Sequence, residues 1–544
     1  MKCSKIIKPM LLFPFIANEK YYVYLPVLGE VWNIDRNVLY EALKLLSSLR
    51  VEMSVSVFKK KLVDKTAVSE QDWKGVEELI LTLQTPQNTR FLKRSEINKR
   101  FYREKEIIEK RYNETLKIYR LGKNNDAISG KLILNLTDRC NFKCKYCVER
   151  GDLYYEPSDR CLGKMTREIG FNAIQDFLFQ RKRSVVKEVE IVFFGGEPLI
   201  EMNLLVDLIE FAKKTHKGLS MRPCLVLKVA TNGTLLNKTN VRYFVKENIC
   251  LQISLDGPKE IHDKFRHNIA GLGTFKAVSK AVRMLKREAF EMRKFDYFSK
   301  CVFFIGTFTD NADKEKIKNF FLRTPLLVSL HGKRAMFFLN AISPCGLKDC
   351  YSFIERKTTA LENYDSIKKD INSLKDSNVP RDYKISIQRR LNYFCEKNAQ
   401  KFLTPSPRKE PCVLSDKLCN IVQETKTFVE SDGTIYFCSL CKIKELAIGS
   451  YADKGIDFER IKIIMQEYLQ FGKKCYSCPI QPVCSLCYRD GNVNGQKYFF
   501  PHKNSKNCVD NFRRVRENFS FFYGLIDVVP EFKVFYERWL NRRR

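Results

Sequence analysis

Cys140, Cys144 and Cys147 stand at the spacing CxxxCxxC. Soft thiolates so close together suit an iron–sulfur cluster, in which each iron takes one protein sulfur. Three cysteines leave one iron of a four-iron cluster open, and an open coordination site is where a substrate or cofactor can bind. Zinc would want a fourth nitrogen or sulfur ligand, and the next downstream histidine is the remote His216. A second constellation comprises Cys412, Cys419, Cys438, Cys475, Cys478, Cys484, Cys487 and Cys508. Its CxxC pairs are separated by the five residues between Cys478 and Cys484, too few for the loop of roughly 12–20 residues in a zinc ribbon. Cys441 reads as inert, with replacement of one of these ligands as the alternative. Cys3, Cys161, Cys224, Cys250, Cys301, Cys345, Cys350 and Cys395 share no spacing and read as small buried residues.

These side chains need a scaffold. From residue 130, apolar runs recur at Lys131–Thr137, Val189–Phe194, Leu225–Thr231, Leu251–Leu255, Val302–Phe308 and Ala335–Ala341. Helical stretches such as Gly170–Arg181, Leu204–Lys214 and Phe275–Arg287 lie between them. Near-continuous apolar strands alternating with helices predict a parallel α/β sheet, with its chemistry at the C-terminal strand ends. Cys140 follows the first strand, Gly195-Gly196-Glu197-Pro198 the second and Asn232-Gly233 the third. Ser254-Leu255-Asp256-Gly257-Pro258 closes the fourth, with His262, Asp263 and Arg266 beyond.

The remaining segments divide by composition. Residues 1–85 read as a small α+β module, winged-helix-like: a strand over Tyr21–Val27, a helix capped by Asp35, and a helix over Trp73–Leu83. Residues 86–129 read as a polar helical linker, 130–342 as the α/β core and 343–410 as a connector. Residues 411–510 form the cysteine-rich region and 511–544 a helical tail. The run Met10–Ala17 is broken by Pro14 and is far shorter than the ~20 residues that span a bilayer. It reads as a buried strand rather than an export signal, so a cytoplasmic protein with no membrane association is expected.

With 544 residues, 44% hydrophobic, several cores are available, and a disordered or collagen-like chain is excluded. Ninety-six Lys and Arg against 63 Asp and Glu leave +33. Basic charge of that size is the usual footprint of nucleic-acid binding. Here it is spread along the chain with no dominant block, which disfavours nucleic acid as the partner.

The CxxxCxxC motif, with the aromatic Tyr146 before its last cysteine, resembles the radical S-adenosylmethionine (SAM) superfamily over roughly residues 130–510. The resemblance implies a partial (β/α)6, TIM-like barrel whose [4Fe-4S] cluster is held by Cys140, Cys144 and Cys147. SAM would chelate the open iron, and one electron from the cluster would cleave it to a 5′-deoxyadenosyl radical. Gly195, Gly196, Glu197 and Pro198 match the family's GGEP, whose glycines let backbone approach the ligand and whose Glu197 accepts from the methionyl ammonium. Ser254 and Asp256 sit where the family contacts the ribose and the active-site floor. Thr231 and Asn232 lie near the adenosine, and Arg266 is a candidate for the SAM carboxylate.

The C-terminal cysteines resemble the SPASM domain, which implies two auxiliary [4Fe-4S] clusters serving electron transfer. By that likeness Cys412, Cys419, Cys438 and Cys487 hold one, and Cys475, Cys478, Cys484 and Cys508 the other. The usual spacing has three residues between the last two clustered cysteines; Cys484 and Cys487 have two.

Two activities then compete. Anaerobic sulfatase maturases convert a Cys or Ser to formylglycine and typically carry an Asp after the cysteine of Gly-x4-Cys, as a base. Here Ser439 holds that position, and its hydroxyl is no base near neutral pH. Peptide maturases instead crosslink ribosomally made peptides through thioether or carbon–carbon bonds. Residues 1–85 suit leader recognition by pairing an extended peptide with a strand edge. A precursor peptide and a flavodoxin- or ferredoxin-type donor are the partners this implies.

Overall fold

The computed structural model describes residues 6–8, 12–25, 30–49, 52–84, 130–147, 163–182, 186–308, 313–341, 364–377, 426–437, 446–472, 492–494, 497–499 and 506–541. It adds isolated positions between 98 and 113, between 384 and 392, and at 478. The chain divides into two compact units.

The first unit spans Lys110–Ala360 and Leu418–Met465. Its sheet contains β1 (Lys131–Asn135), β2 (Glu188–Phe194), β3 (Cys224–Thr231), β4 (Cys250–Ser254), β5 (Val302–Phe308), β6 (Met336–Ala341), β7 (Lys426–Val429) and β8 (Ile435–Tyr436). The spatial order is β6-β5-β4-β3-β2-β1-β7-β8, all parallel except the β7–β8 hairpin. From β1 to β6 spatial order follows chain order. Right-handed crossovers then put every helix on one face, as in a barrel, whereas a doubly wound sheet reverses its order midway.

Residues alternate along each strand. Leu132, Leu134, Ile191, Phe193 and Val229 are fully buried, while the opposite face carries Lys131, Glu190 and Lys228. Glu190 pairs with Lys131 at 2.5 Å and Lys228 at 2.7 Å. Burial opposes its charge, yet the two ammoniums hold its carboxyl below the ordinary range. The covering helices are α1 (Arg167–Arg181), α2 (Met202–Gly218), α3 (Lys238–Lys246), α4 (Lys259–Phe265), α5 (Phe275–Glu291) and α6 (Lys314–Arg323). Thr166 and Asn237 cap α1 and α3, accepting from Ile169 and Asn240 N–H; such caps satisfy first-turn donors.

The second unit combines Met1–Glu109, Leu361–Lys417 and Gln466–Arg544. An antiparallel sheet of Phe13–Ala17, Lys20–Leu25 and Glu30–Ile34 buries Val23, Leu25 and Ile34 in a core with Leu43, Trp73 and Ile80 of the helices Asn37–Ser48 and Glu70–Leu83. Its other face packs Phe13, Phe15, Tyr22 and Tyr24 on Val515 and Phe519 of the helix Lys506–Val528. Segments that the sequence separates as N-terminal module and C-terminal tail therefore share a core. The helix expected to be capped by Asp35 starts after Arg36, which makes no side-chain cap bond. Ser69 and Asp72 form a capping box at the other. Among the described residues no helix is long and apolar enough to cross a membrane.

Candidate functional site

The cysteine loop leaves the C-terminal end of β1 with Cys144 buried and Cys140 and Cys147 half-buried. It is held on two sides. On one, Gly196 N–H donates to Thr137 O at 2.8 Å and Glu197 N–H to Arg139 O at 2.9 Å. A Cβ on Gly196 would lie 2.3 Å from Arg139 O, and one on Gly195, at φ +138°, 2.5 Å from Thr137 O. These glycines thus admit the backbone of the cysteine loop itself, a closer neighbour than the ligand the sequence suggested. On the other side, residues 265–269 run alongside. Lys143 N–H donates to His267 O at 2.8 Å, Lys145 N–H to Phe265 O at 3.1 Å, and Ile269 N–H to Asn141 O at 3.3 Å.

Glu197 is fully buried and ties the ends of β2 and β3 together. Its carboxylate accepts from Thr231 Oγ1 and Asn232 N–H, each at 2.7 Å, and from Leu199 N–H at 3.2 Å. Burial pushes its carboxyl up to about 7 against those three hydrogen bonds. Pro198 opens the short 3-10 turn Pro198–Glu201, where its missing N–H costs nothing. Asn232 reaches back to the cysteine loop, donating to Asn141 Oδ1 at 2.8 Å.

At the ends of β4 and β5 a second buried network forms. Asp256 accepts from Arg266 Nε at 2.9 Å, from Thr307 N–H at 2.9 Å and from the Tyr146 hydroxyl. Its own N–H donates to His262 Nδ1 at 3.3 Å. Nδ1 therefore accepts, and Nε2 carries the proton toward Thr274 Oγ1 at 3.1 Å. Burial pushes His262 down to about 4, so it is a neutral strut. Asp263 accepts from Phe275 N–H at the start of α5. Both Asp256 oxygens engage protein groups, whereas Ser254, half-buried on the same strand, makes no side-chain hydrogen bond among the described residues. Arg266 lies over the Tyr146 ring at 5.4 Å, and only its Nε has a protein acceptor among the described residues.

The donor set fits an iron–sulfur cluster. Phe142 N–H donates to Cys140 Sγ at 3.4 Å, and Asn232 Nδ2 approaches the same sulfur at 4.0 Å; such contacts suit a ligating thiolate. Burial pushes the Cys144 thiol up to about 12, opposed by Arg266. Ligation there must displace a proton. Among the described residues no three His, Cys, Asp or Glu side chains converge on a single-ion site, while a cubane distributes its thiolates over separate irons.

The structure thus brings together Cys140, Cys144, Cys147, Gly195, Gly196, Glu197, Pro198, Thr231 and Asn232, and links Asp256 and Arg266 to the same loop through Tyr146. Cys412, Cys419, Cys438, Cys441, Cys475, Cys484, Cys487 and Ser439 lie outside the described residues. Cys478 is half-buried, and Cys508 falls in the helix Lys506–Val528. Sequence reasoning missed Asn141, which donates to Thr234 Oγ1 at 3.0 Å, and the ion pairs of Glu201 with Arg139 and Lys164. Asn141's position inside CxxxC was the available signal.

Residues 134–294 match the model of the radical SAM superfamily. The chain is 24% identical over 391 residues to the cysteine-type anaerobic sulfatase-maturating enzyme of Clostridium novyi, covering 67% of this chain and 88% of that protein. It is 30% identical over 167 residues to the antilisterial bacteriocin subtilosin biosynthesis protein AlbA of Bacillus subtilis, covering 30% of this chain and 32% of that one. The solved structure of native anSMEcpe with bound AdoMet is 18% identical at a TM-score of 0.46, covering 74% of this chain and 99% of that one.

Proposed function

The chain belongs to the radical SAM superfamily through residues 134–294, and from that premise we propose that it crosslinks a ribosomally made peptide through a thioether or carbon–carbon bond. The observation that carries this reading is the three-stranded sheet of the second unit. Its strand Glu30–Ile34 pairs on one side with Lys20–Leu25 and has no further strand on the other among the described residues. An unpaired edge accepts an extended segment by backbone hydrogen bonds, which suits a leader peptide. Ser439, in place of a basic Asp, points the same way.

In this reading Cys140, Cys144 and Cys147 hold a [4Fe-4S] cluster, which supplies the electron that cleaves SAM to a hydrogen-abstracting radical. Arg266 offers its Nη groups to the SAM carboxylate, while Asp256 and Tyr146 fix the guanidinium. Ser254 and Asn232 offer polar groups to the ribose and adenosine. Glu197 accepts from the methionyl ammonium with the lone-pair capacity its three protein donors leave; with Gly195, Gly196, Pro198 and Thr231 it holds the cysteine loop against the β3 end. Cys412, Cys419, Cys438 and Cys487 would hold one auxiliary [4Fe-4S] cluster, and Cys475, Cys478, Cys484 and Cys508 a second. These would relay electrons, with a flavodoxin- or ferredoxin-type partner in the cytoplasm as the donor. Formylglycine formation is the second reading, favoured by the extent of the likeness to the Clostridium novyi enzyme.

The Cys140→Ala/Cys144→Ala/Cys147→Ala variant, reconstituted without oxygen, should lose roughly four irons and all 5′-deoxyadenosine production. Continued SAM cleavage would sink the radical reading. Co-expression with short peptides encoded beside the gene, read by mass spectrometry, should show loss of hydrogen pairs from a peptide. Turnover of a sulfatase-type peptide alone would select formylglycine formation.

A further inference from the structure

Cys250 opens β4, and Cys301 immediately precedes β5. Leu251 pairs with Val302 in the parallel register, which puts Cys250 and Cys301, the last residue of the short helix Tyr297–Cys301, one step before that pair. Neighbouring strands run about 4.8 Å apart, within the ~4.4–6.8 Å between α-carbons that a disulfide spans. Each thiol shifts the titration of the other. This pair sits at the N-terminal end of the strands, the opposite end of β4 from Ser254 and Asp256, and plays no part in the site described above.

The two sulfurs are not equivalent. Cys250 is buried, while Cys301 is half-buried and open to a small reactant. The Cys250 S–H, with Lys300 and Lys294 nearby, favours the Cys301 thiolate and holds it below the ordinary thiol range. Cys250 is displaced upward, first by the neighbouring Cys301 and then by burial. Lys228, its register partner on β3, adds a cation on the far side. An accessible thiolate beside a protonated, buried neighbour is the arrangement of an attacking and a resolving thiol.

We propose that Cys301 and Cys250 form a reactive dithiol that exchanges with small-molecule disulfides and closes into a bridge across β4 and β5. The Cys301 thiolate attacks one sulfur of the small disulfide, whose S–S bond breaks and releases one thiolate. Cys250 then gives up its proton and attacks the Cys301 sulfur, and the second small thiolate leaves. The protein dithiol is oxidised by two electrons, and the small disulfide is reduced to two thiols.

The test treats anaerobic holoenzyme with oxidised glutathione, alkylates it in denaturant without reduction and maps the peptides by mass spectrometry. The exposed Cys224 is the internal control and should stop at a mixed disulfide with glutathione. Alkylation of Cys250 and Cys301 should fall together as a Cys250–Cys301 linked peptide appears. In Cys250→Ser, Cys301 should stop at the mixed disulfide; in Cys301→Ser, Cys250 should stay fully alkylated. Wild-type protein in which Cys224 reacts while both partners remain thiols would overturn the proposal. Glutathionylation of Cys250 in Cys301→Ser at the wild-type rate would overturn the assigned roles. Should either variant fail to fold, the wild-type linked peptide decides alone.

Discussion

The cysteine-loop end of the barrel and the sheet of the second unit are built in opposite ways. In the barrel, spatial order follows chain order from β1 to β6, so functional motifs met in sequence arrive on successive strand ends. Glu197, just after β2, meets Thr231 and Asn232 at the end of β3 because adjacent parallel strands end side by side. In the second unit, Phe13 and Phe15 meet Phe519, and Tyr22 bonds Asp527 across 505 residues. Chemistry carried by spacing survives in a sequence read linearly. A core closed between the two ends of a chain leaves no local pattern, because each half alone looks like an amphipathic element awaiting a partner.

The largest expected effect tests whether that core is a real unit. Phe519 is fully buried and stacks on Phe15 at 5.0 Å between ring centroids. Phe519→Ala should cost about 3–5 kcal/mol. Trp32, Trp73 and Trp539 all belong to this unit, so tryptophan fluorescence in urea reports it selectively. The fluorescence midpoint should fall while loss of S-adenosylmethionine cleavage, which reports the Cys140–Cys147 loop of the other unit, keeps its own. Equal shifts of both signals would show that one cooperative transition spans the two units and would erase the contrast.

Much of the barrel was legible. Strand Val302–Phe308 matches its apolar run residue for residue; four of the other core strands differ from theirs by one or two residues at one end, and Cys250–Ser254 is shifted by one residue from the expected Leu251–Leu255. The strand-end motifs could be read because turn and ligand chemistry depends on near neighbours. The partner of each motif could not. Nothing in Gly195-Gly196 says that Thr137 and Arg139 are what a side chain would strike. Nothing in 265–269 announces the strand-like pairing with the cysteine loop. The ion pairs of Glu190 with Lys131 and Lys228 could not be read either, because the three residues lie on three different strands. Cys250 and Cys301 share no sequence spacing because parallel neighbours are separated by a whole crossover.

The next effect belongs to the barrel and is read by pH. Burial lifts Glu197 from the usual 4.5 to about 7, so folding favours its protonated form. That contribution is complete below about pH 4.5 and is lost as pH rises through 7. It amounts to about 3 kcal/mol at 1.36 kcal/mol per pH unit. Glu197→Gln should flatten the fall in stability between pH 5 and 8, measured by urea midpoints across that range. It should also lower stability at pH 5, because an amide NH2 facing the Asn232 or Leu199 N–H leaves a buried donor without an acceptor. An unchanged slope would mean that the carboxyl titrates normally and that the strand ends are tied less closely than the hydrogen bonds indicate.

The smallest effect returns to the unit built from the chain ends. Tyr22→Phe removes the 2.5 Å hydrogen bond to Asp527 and keeps the ring stacked on Phe15 at 5.3 Å. Asp527 is not stranded, because Lys20 still pairs with it at 3.2 Å from a largely exposed position. The loss should therefore be about 1 kcal/mol, the net worth of one hydrogen bond rather than the cost of an orphaned charge. Tyr22→Phe/Asp527→Asn against each single variant separates the two. Coupling near zero would mean that aromatic packing alone joins the ends, and coupling of about 1 kcal/mol that the polar contact also fixes their register.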